Sequence, residues 1–129
     1  MRAKTIVLAD SDPASVKQVL SLLENEGFRV VVARDGVEAL ARVLELRADL
    51  VLLEILLPQK NGYQVCRALK ADAATRSVPV LFLSAKSQPS DRFWAKRVGG
   101  DGFVAKPFDP ADLVRVVLGL LQRARAAPL

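Results

Sequence analysis

The chain has 129 residues, 51% of them hydrophobic and 26% charged, and its 19 Lys and Arg outnumber 14 Asp and Glu for a net charge of +5. This is the balance of one soluble globular domain, able to bury roughly two thirds of its unfolded surface without cross-links. A single cysteine excludes an internal disulfide, and the absence of histidine excludes a histidine-based catalytic dyad and a His-rich metal site,.

The elements alternate in short apolar runs and longer helical patterns. Thr5 to Ala9 (TIVLA) reads as a strand. Pro13 to Glu26 reads as a helix, with Asp12 as N-cap, Pro13 at the first helical position and Gly27 past its end,. Val16, Val19, Leu20 and Leu23 give it one apolar face,. Arg29 to Ala33 is a second strand. The helix Gly36 to Leu46 follows, with Ala39, Leu40, Val43 and Leu44 expected to face inward. Leu50 to Leu53 is apolar throughout and suits a central parallel strand covered on both faces,. Gly62 to Ala71 is a helix carrying Val65, Cys66 and Leu69, with Cys66 as a small core residue,. Val80 to Leu83, Ser90 to Val98 and Gly102 to Ala105 read as strand, weaker helix and strand. A last helix runs from Pro110 to about Ala124, capped by Asp109, and a tail or linker follows from 124 to 129.

Five strand–helix units predict a parallel sheet with helices on both faces. Ligands gather at the carboxyl ends of strands in such sheets. Those ends carry Asp10, Ser11 and Asp12 after the first strand and Glu54 after the third. Ser84 follows the fourth, and Lys106 with Pro107 the fifth. Apolar strands thus deliver acids, a hydroxyl and an ammonium to one rim.

These stretches resemble the receiver domain of bacterial two-component response regulators over nearly all of residues 4 to 123. "IVLADSDP" resembles the family's acidic first-strand motif, and "RDGVEAL" its turn into the second helix. "DLVLLEILLPQKNGYQVCRALK" resembles the phospho-acceptor strand, its loop and the third helix. "VPVLFLSA" resembles the strand with the switch hydroxyl, and "GGDGFVAKPF" the strand with the rotameric aromatic and the Lys-Pro pair. The resemblance implies a flavodoxin-like, doubly wound α/β fold: a five-stranded parallel sheet of order 2-1-3-4-5 in one receiver-like domain, 1–129. It also implies a signalling module rather than an enzyme.

In the family, an Asp at the position of Glu54 accepts a phosphoryl group from a histidine kinase. That Asp and two acids after the first strand hold a magnesium ion. Here Asp10 matches the first acid, Ser11 stands at the second, and Asp12 is better explained as a helix cap. Ser84, Lys106 and Phe103 match the phosphoryl-contacting hydroxyl, its lysine and the aromatic that swings inward. Magnesium demands near-octahedral oxygen ligation, so losing one carboxylate loosens its site. A glutamate places its oxygens about 1.5 Å further out than an aspartate. Phosphoryl transfer depends on in-line positioning and metal charge neutralisation, and both are impaired. We therefore expect no cofactor, with at most weak magnesium binding through Asp10 and Glu54.

Glu54 is long enough to reach Lys106 and to replace the contact of an acyl phosphate, holding the domain in one conformation. Drift of a tolerated acid and a working phosphorelay receiver with an unusual acceptor remain the alternatives. Partners are expected to be proteins: a sensor kinase, an output domain or a second copy. The expected surface lies on the fourth helix, fifth strand and fifth helix, with Trp94, Phe103, Val114 and Leu118. The N-terminal apolar stretch is too short for a signal peptide, and the run Leu50 to Pro58 is broken by Glu54, so a cytoplasmic protein that meets no membrane is expected,. Cations are scattered along the sequence without a nucleic-acid motif, which leaves nucleic acid the least favoured partner.

Overall fold

The computed structural model describes residues 2–126. Five strands, β1 (Thr5–Ala9), β2 (Arg29–Ala33), β3 (Leu50–Leu53), β4 (Val80–Ser84) and β5 (Gly102–Ala105), alternate with five helices. The helices are α1 (Pro13–Asn25), α2 (Gly36–Leu46), α3 (Gly62–Ala71), α4 (Pro89–Arg97) and α5 (Pro110–Ala126). All strand pairs are parallel and the order is β2-β1-β3-β4-β5. This is the doubly wound, flavodoxin-like arrangement that the resemblance implied.

Side chains alternate across a strand, so each strand feeds two cores. Ile6, Leu8, Leu50, Leu52, Leu81 and Leu83 pack under α1 and α5 with Val19, Leu23, Leu113 and Val117. Val7, Ala9, Val51, Leu53, Val80 and Phe82 pack under α2, α3 and α4 with Val43, Val65, Leu69 and Ala95. Cys66 lies in this second core, and its thiol donates to the Val98 carbonyl at 3.5 Å. Burial pushes that thiol up to about 12.

Helix starts follow the expected chemistry. Asp12 accepts from the Ala14 N–H at 3.3 Å, and Asp109 from the Ala111 N–H at 2.8 Å. Asn61 and Gln64 form a reciprocal capping box on α3,. Gly27 takes φ +90°, the left-handed turn that ends α1,.

Some expectations need correction, beginning with α1, which ends at Asn25 rather than Glu26. Leu44 is exposed, not inward. It lies one residue past buried Val43, about 100° further around α2, on the side that faces solvent,. The fourth strand includes Ser84, and α4 spans Pro89–Arg97 rather than 90–98. Helix α5 runs through Ala126, two residues past its expected end near Ala124, and residues 127–129 of the expected tail lie outside the described residues.

Candidate functional site

The backbone ladder carries the rim residues to one end of the sheet. The Asp10 N–H donates to the Ala33 carbonyl and the Glu54 N–H to the Ala9 carbonyl, each at 3.0 Å. The Lys106 N–H donates to the Ser84 carbonyl, also at 3.0 Å. Asp10, Glu54, Ser84 and Lys106 therefore leave neighbouring strands side by side. A cis peptide bond joins Lys106 to Pro107.

The loop after β3 is tightly held. The Gly62 N–H donates to the Ile55 carbonyl at 2.8 Å, and the Gly36 N–H to the Pro58 carbonyl at 3.1 Å. A Cβ on Gly62 would stand 2.4 Å from the Glu54 carbonyl oxygen, so only glycine permits this close approach of α3 to the strand end,.

Glu54 is buried, with 8% of its surface exposed. Its Oε1 accepts from the Lys106 ammonium at 3.1 Å. Its Oε2 curls back to accept the N–H of the next residue, Ile55, at 2.7 Å. The same ammonium donates to Asp10 Oδ2 at 2.7 Å, and Asp10 Oδ1 accepts from the Asp12 N–H at 2.9 Å. Lys106 thus bridges two carboxylates whose four oxygens each already face a donor. Burial alone would lower the Lys106 pKa, but the hydrogen bonds and charges of Asp10 and Glu54 outweigh it and hold the ammonium above its ordinary value.

Ser84 is fully buried, and its hydroxyl accepts from the Lys86 N–H at 3.1 Å. Ser11 and Asp12 are exposed. Phe103 is half-buried, stacked on Phe82 with ring centroids 6.2 Å apart, and the Arg92 guanidinium lies 4.7 Å over its ring.

The magnesium site that the resemblance implies fits these residues poorly. The Lys106 ammonium already engages one oxygen of each carboxylate, at 2.7 Å and 3.1 Å, and the residue matching the second acid is an exposed serine. Among the described residues, no group of three or more His, Cys, Asp or Glu is placed to hold a metal ion. A hard divalent ion needs several oxygen ligands free of competing donors.

The expected partner surface is divided. Trp94 is exposed on α4 and Phe103 sits on the adjoining β5. Val114 and Leu118 do not join them: they line a groove with Leu22 of α1 and Glu26 just past its end, while Val116 and Leu120 are the α5 residues that approach Gly102 of β5. Val114 and Val116 are two positions apart, about 200° around a helix, so they face different neighbours.

Sequence reasoning missed a second charged cluster. Asp91, 4% exposed at the start of α4, pairs with the Lys86 ammonium and accepts from the Gln88 N–H at 3.0 Å and the Tyr63 hydroxyl at 3.3 Å. The bond from Lys86 lowers the Asp91 pKa, while burial and the Asp91 charge raise that of Tyr63. The signal was available: Asp91 stands at the third helical position behind Gln88, the spacing of a capping box,.

Comparison with known proteins follows the same lines. Residues 6–118 match the family described as response regulator receiver domain. The chain is 42% identical over 123 residues to the DNA-binding response regulator MtrA of Mycolicibacterium smegmatis, covering 95% of this chain and 53% of that protein. It therefore spans about half the length of the curated relatives it matches. The crystal structure of the signal receiver domain of a histidine kinase from Syntrophus aciditrophicus is similar at TM-score 0.87 and 31% identity, covering 98% of this chain and 96% of that one. The receiver domain of sensor histidine kinase PA1611 from Pseudomonas aeruginosa, solved with magnesium in its cleft, is similar at TM-score 0.87 and 28% identity, covering 94% and 99%. With its sheet order, its rim and a family match over most of its length, the chain belongs to the response regulator receiver domains of two-component signalling.

Proposed function

We propose that this chain, read as a single receiver unit over residues 1–129, signals through protein contacts without being phosphorylated. Glu54 stands in for both acceptor and phosphoryl group. One observation carries the reading: Lys106 bridges Asp10 and Glu54 while the second Glu54 oxygen is held by the Ile55 N–H.

An acceptor carboxylate must aim a free lone pair at phosphorus, in line with the leaving group, with positive charge neutralising the transferred oxygens. Here the candidate nucleophile is turned toward its own chain and toward the lysine. The extra methylene of glutamate makes both contacts available at once. The resulting ion pair is about as protected as the rim allows, with 16% of the Lys106 side chain exposed. A glutamate brings one negative charge where a phosphoryl group brings about 1.5 to 2, so the substitute is partial in strength but permanent.

The test is intact mass after incubation with acetyl phosphate and magnesium. We expect no stable adduct on the native chain. An adduct that disappears in Glu54→Ala would overturn the reading in favour of an unusual phospho-acceptor. The double variant Glu54→Asp with Ser11→Asp shortens the acceptor and supplies the second acid, and it should gain magnesium-dependent labelling.

The sensor kinase and the output domain are the partner classes that the family suggests. The relatives named as DNA-binding response regulators are about twice the aligned length, so nucleic-acid binding is not assigned to these residues.

A further inference from the structure

Helix α4 turns Asp91 and Ala95 into the protein and leaves Arg92, Phe93, Trp94, Lys96 and Arg97 exposed. Phe93 is 60% exposed and Trp94 50%. Their rings meet edge to face at 5.3 Å. Neither is needed for the core, and neither is a strong helix former. Large apolar side chains that adjoin each other in water, ringed by polar groups, mark a contact surface. Tyr, Trp, Phe and Arg are the residues enriched at such surfaces.

The charges around the pair are of one sign. Among the described residues, none of Arg92, Lys96 and Arg97 lies within ion-pair distance of a carboxylate. The two acids that flank these cations in sequence are already engaged. Asp91 is held by Lys86 and Tyr63, and Asp101 pairs with Lys70 at 2.9 Å and accepts from the Val80 N–H at 2.8 Å. A cleft of ≈ 310 Å³ between α4 and β5 opens beside this face, lined by Arg92, Lys96, Gly100 and Phe103 among others. The helix itself is firmly set, through the bond from the Gln88 N–H to the Asp91 carboxylate and the Lys86 and Tyr63 contacts. A surface fixed before binding loses less entropy when it binds.

We infer that the outer face of α4 binds a short acidic segment of a protein partner. Apolar side chains of that segment rest on Phe93 and Trp94, and its carboxylates face Arg92, Lys96 and Arg97. The inference rests on the reading that this domain works by protein contact, and it names the chemistry of the partner. Guanidinium forks match carboxylates in pairs of parallel hydrogen bonds. Single-stranded nucleic acid prefers a basic groove with ring faces open for stacking, whereas α4 is convex and its two rings pack against each other. A membrane-surface helix needs a broad apolar face along its length, and the nine residues of α4 offer one aromatic pair.

The experiment is selection of peptides from a random phage-displayed library on the immobilised full chain. Synthetic versions of the selected peptides are then measured by fluorescence polarisation and by the emission of Trp94, the only tryptophan. Enriched peptides should be net acidic with at least one large apolar residue, and should shift Trp94 emission to the blue. Phe93→Ala should weaken them by about tenfold or more, as loss of a central anchor does. Lys96→Glu with Arg97→Glu should weaken them comparably, and added salt should weaken the native complex. Circular dichroism and urea unfolding confirm that each variant folds.

No acidic enrichment, or equal binding by the α4 variants, would overturn the inference. So would oligo-thymidine or phosphatidylserine vesicles displacing the peptides through Phe93 and Trp94. Acetyl phosphate labelling is read separately. A phosphoryl adduct with peptide binding intact would remove the reading of Glu54 and leave α4 standing. Loss of acidic preference without an adduct would remove α4 alone.

Discussion

The rim at the strand ends and the outer face of α4 are both charged, but they treat charge in opposite ways. At the rim, Lys106 sits between Asp10 and Glu54, and the carboxylate oxygens it does not touch accept backbone N–H groups. On α4, three cations and two aromatics are exposed, and the carboxylates that flank them in sequence are taken by other partners. A cluster that satisfies itself stabilises a conformation. A cluster left unsatisfied is available to another molecule. Under the two proposals above, the first region holds the domain's shape and the second meets a partner, and substitutions in the two regions should behave accordingly.

The largest effect is expected from Lys106→Ala. Removing the cation leaves two carboxylates together in a buried site, and stability should fall by about 3 kcal/mol, the low end for breaking a buried pair. Urea unfolding with an unchanged slope would measure it. A loss no larger than that of a surface substitution would show the rim to be as open as α4, and the contrast would fail.

The pH dependence of that difference follows from the raised Lys106 pKa. The folded chain holds this proton more tightly than the unfolded one, so the contribution is fully present below the ordinary lysine value of about 10.4. It is lost as pH rises through the higher folded value. Native and Lys106→Ala stability should therefore run parallel across neutral pH and converge in strong alkali,. A difference that stays constant through strong alkali would show that the Lys106 charge does not contribute,.

Glu54→Gln is expected to have a smaller effect. It keeps the length and the Ile55 contact but removes the charge, and should cost about 1.5 kcal/mol, the low end for a hydrogen bond to a charged group. Equilibrium unfolding at neutral pH checks this. Labelling by acetyl phosphate should remain absent in this variant.

Phe93→Ala and Arg97→Glu should change stability by less than about 0.5 kcal/mol, as exposed positions do. Thermal unfolding checks them, and a large loss would mean that α4 contributes to the fold rather than to recognition.

Cys66 gives a control outside both regions. With its thiol pushed up to about 12, it stays protonated in the folded chain when an unfolded chain would begin to ionise,. Alkylation at mildly alkaline pH should be slow until denaturant is added. Stability should decline as pH rises above the ordinary thiol range, because only the unfolded state then releases the proton.

Much of this organisation was legible in the chain. Apolar runs of β-branched residues and leucine, each followed by a capped helix, dictate parallel strands and place Asp10, Glu54, Ser84 and Lys106 at one edge. That inference needs only strand periodicity and the rule that parallel sheets expose their carboxyl ends to ligands. The length of a glutamate side chain, also read from the sequence, made its reach to Lys106 foreseeable. Its second contact, with the N–H of the adjacent Ile55, is not legible in the same way, because side-chain length does not choose the rotamer that curls back,.

Tertiary packing decided the rest. Leu44 and Leu118 carry the same apolar signal as buried leucines, and only the absence of a covering element leaves them exposed. Val114 faces α1 and Val116 faces β5 because the orientation of α5 on the sheet settles which side of the helix meets which neighbour. The run Arg92 to Arg97 became a one-signed, aromatic surface only when Asp91 turned inward to Lys86 and Asp101 turned to Lys70. Sequence determines which groups each element carries, through short-range sterics and periodicity. Whether a charge is neutralised or left facing water depends on partners distant in the chain, and these meet only when the elements pack.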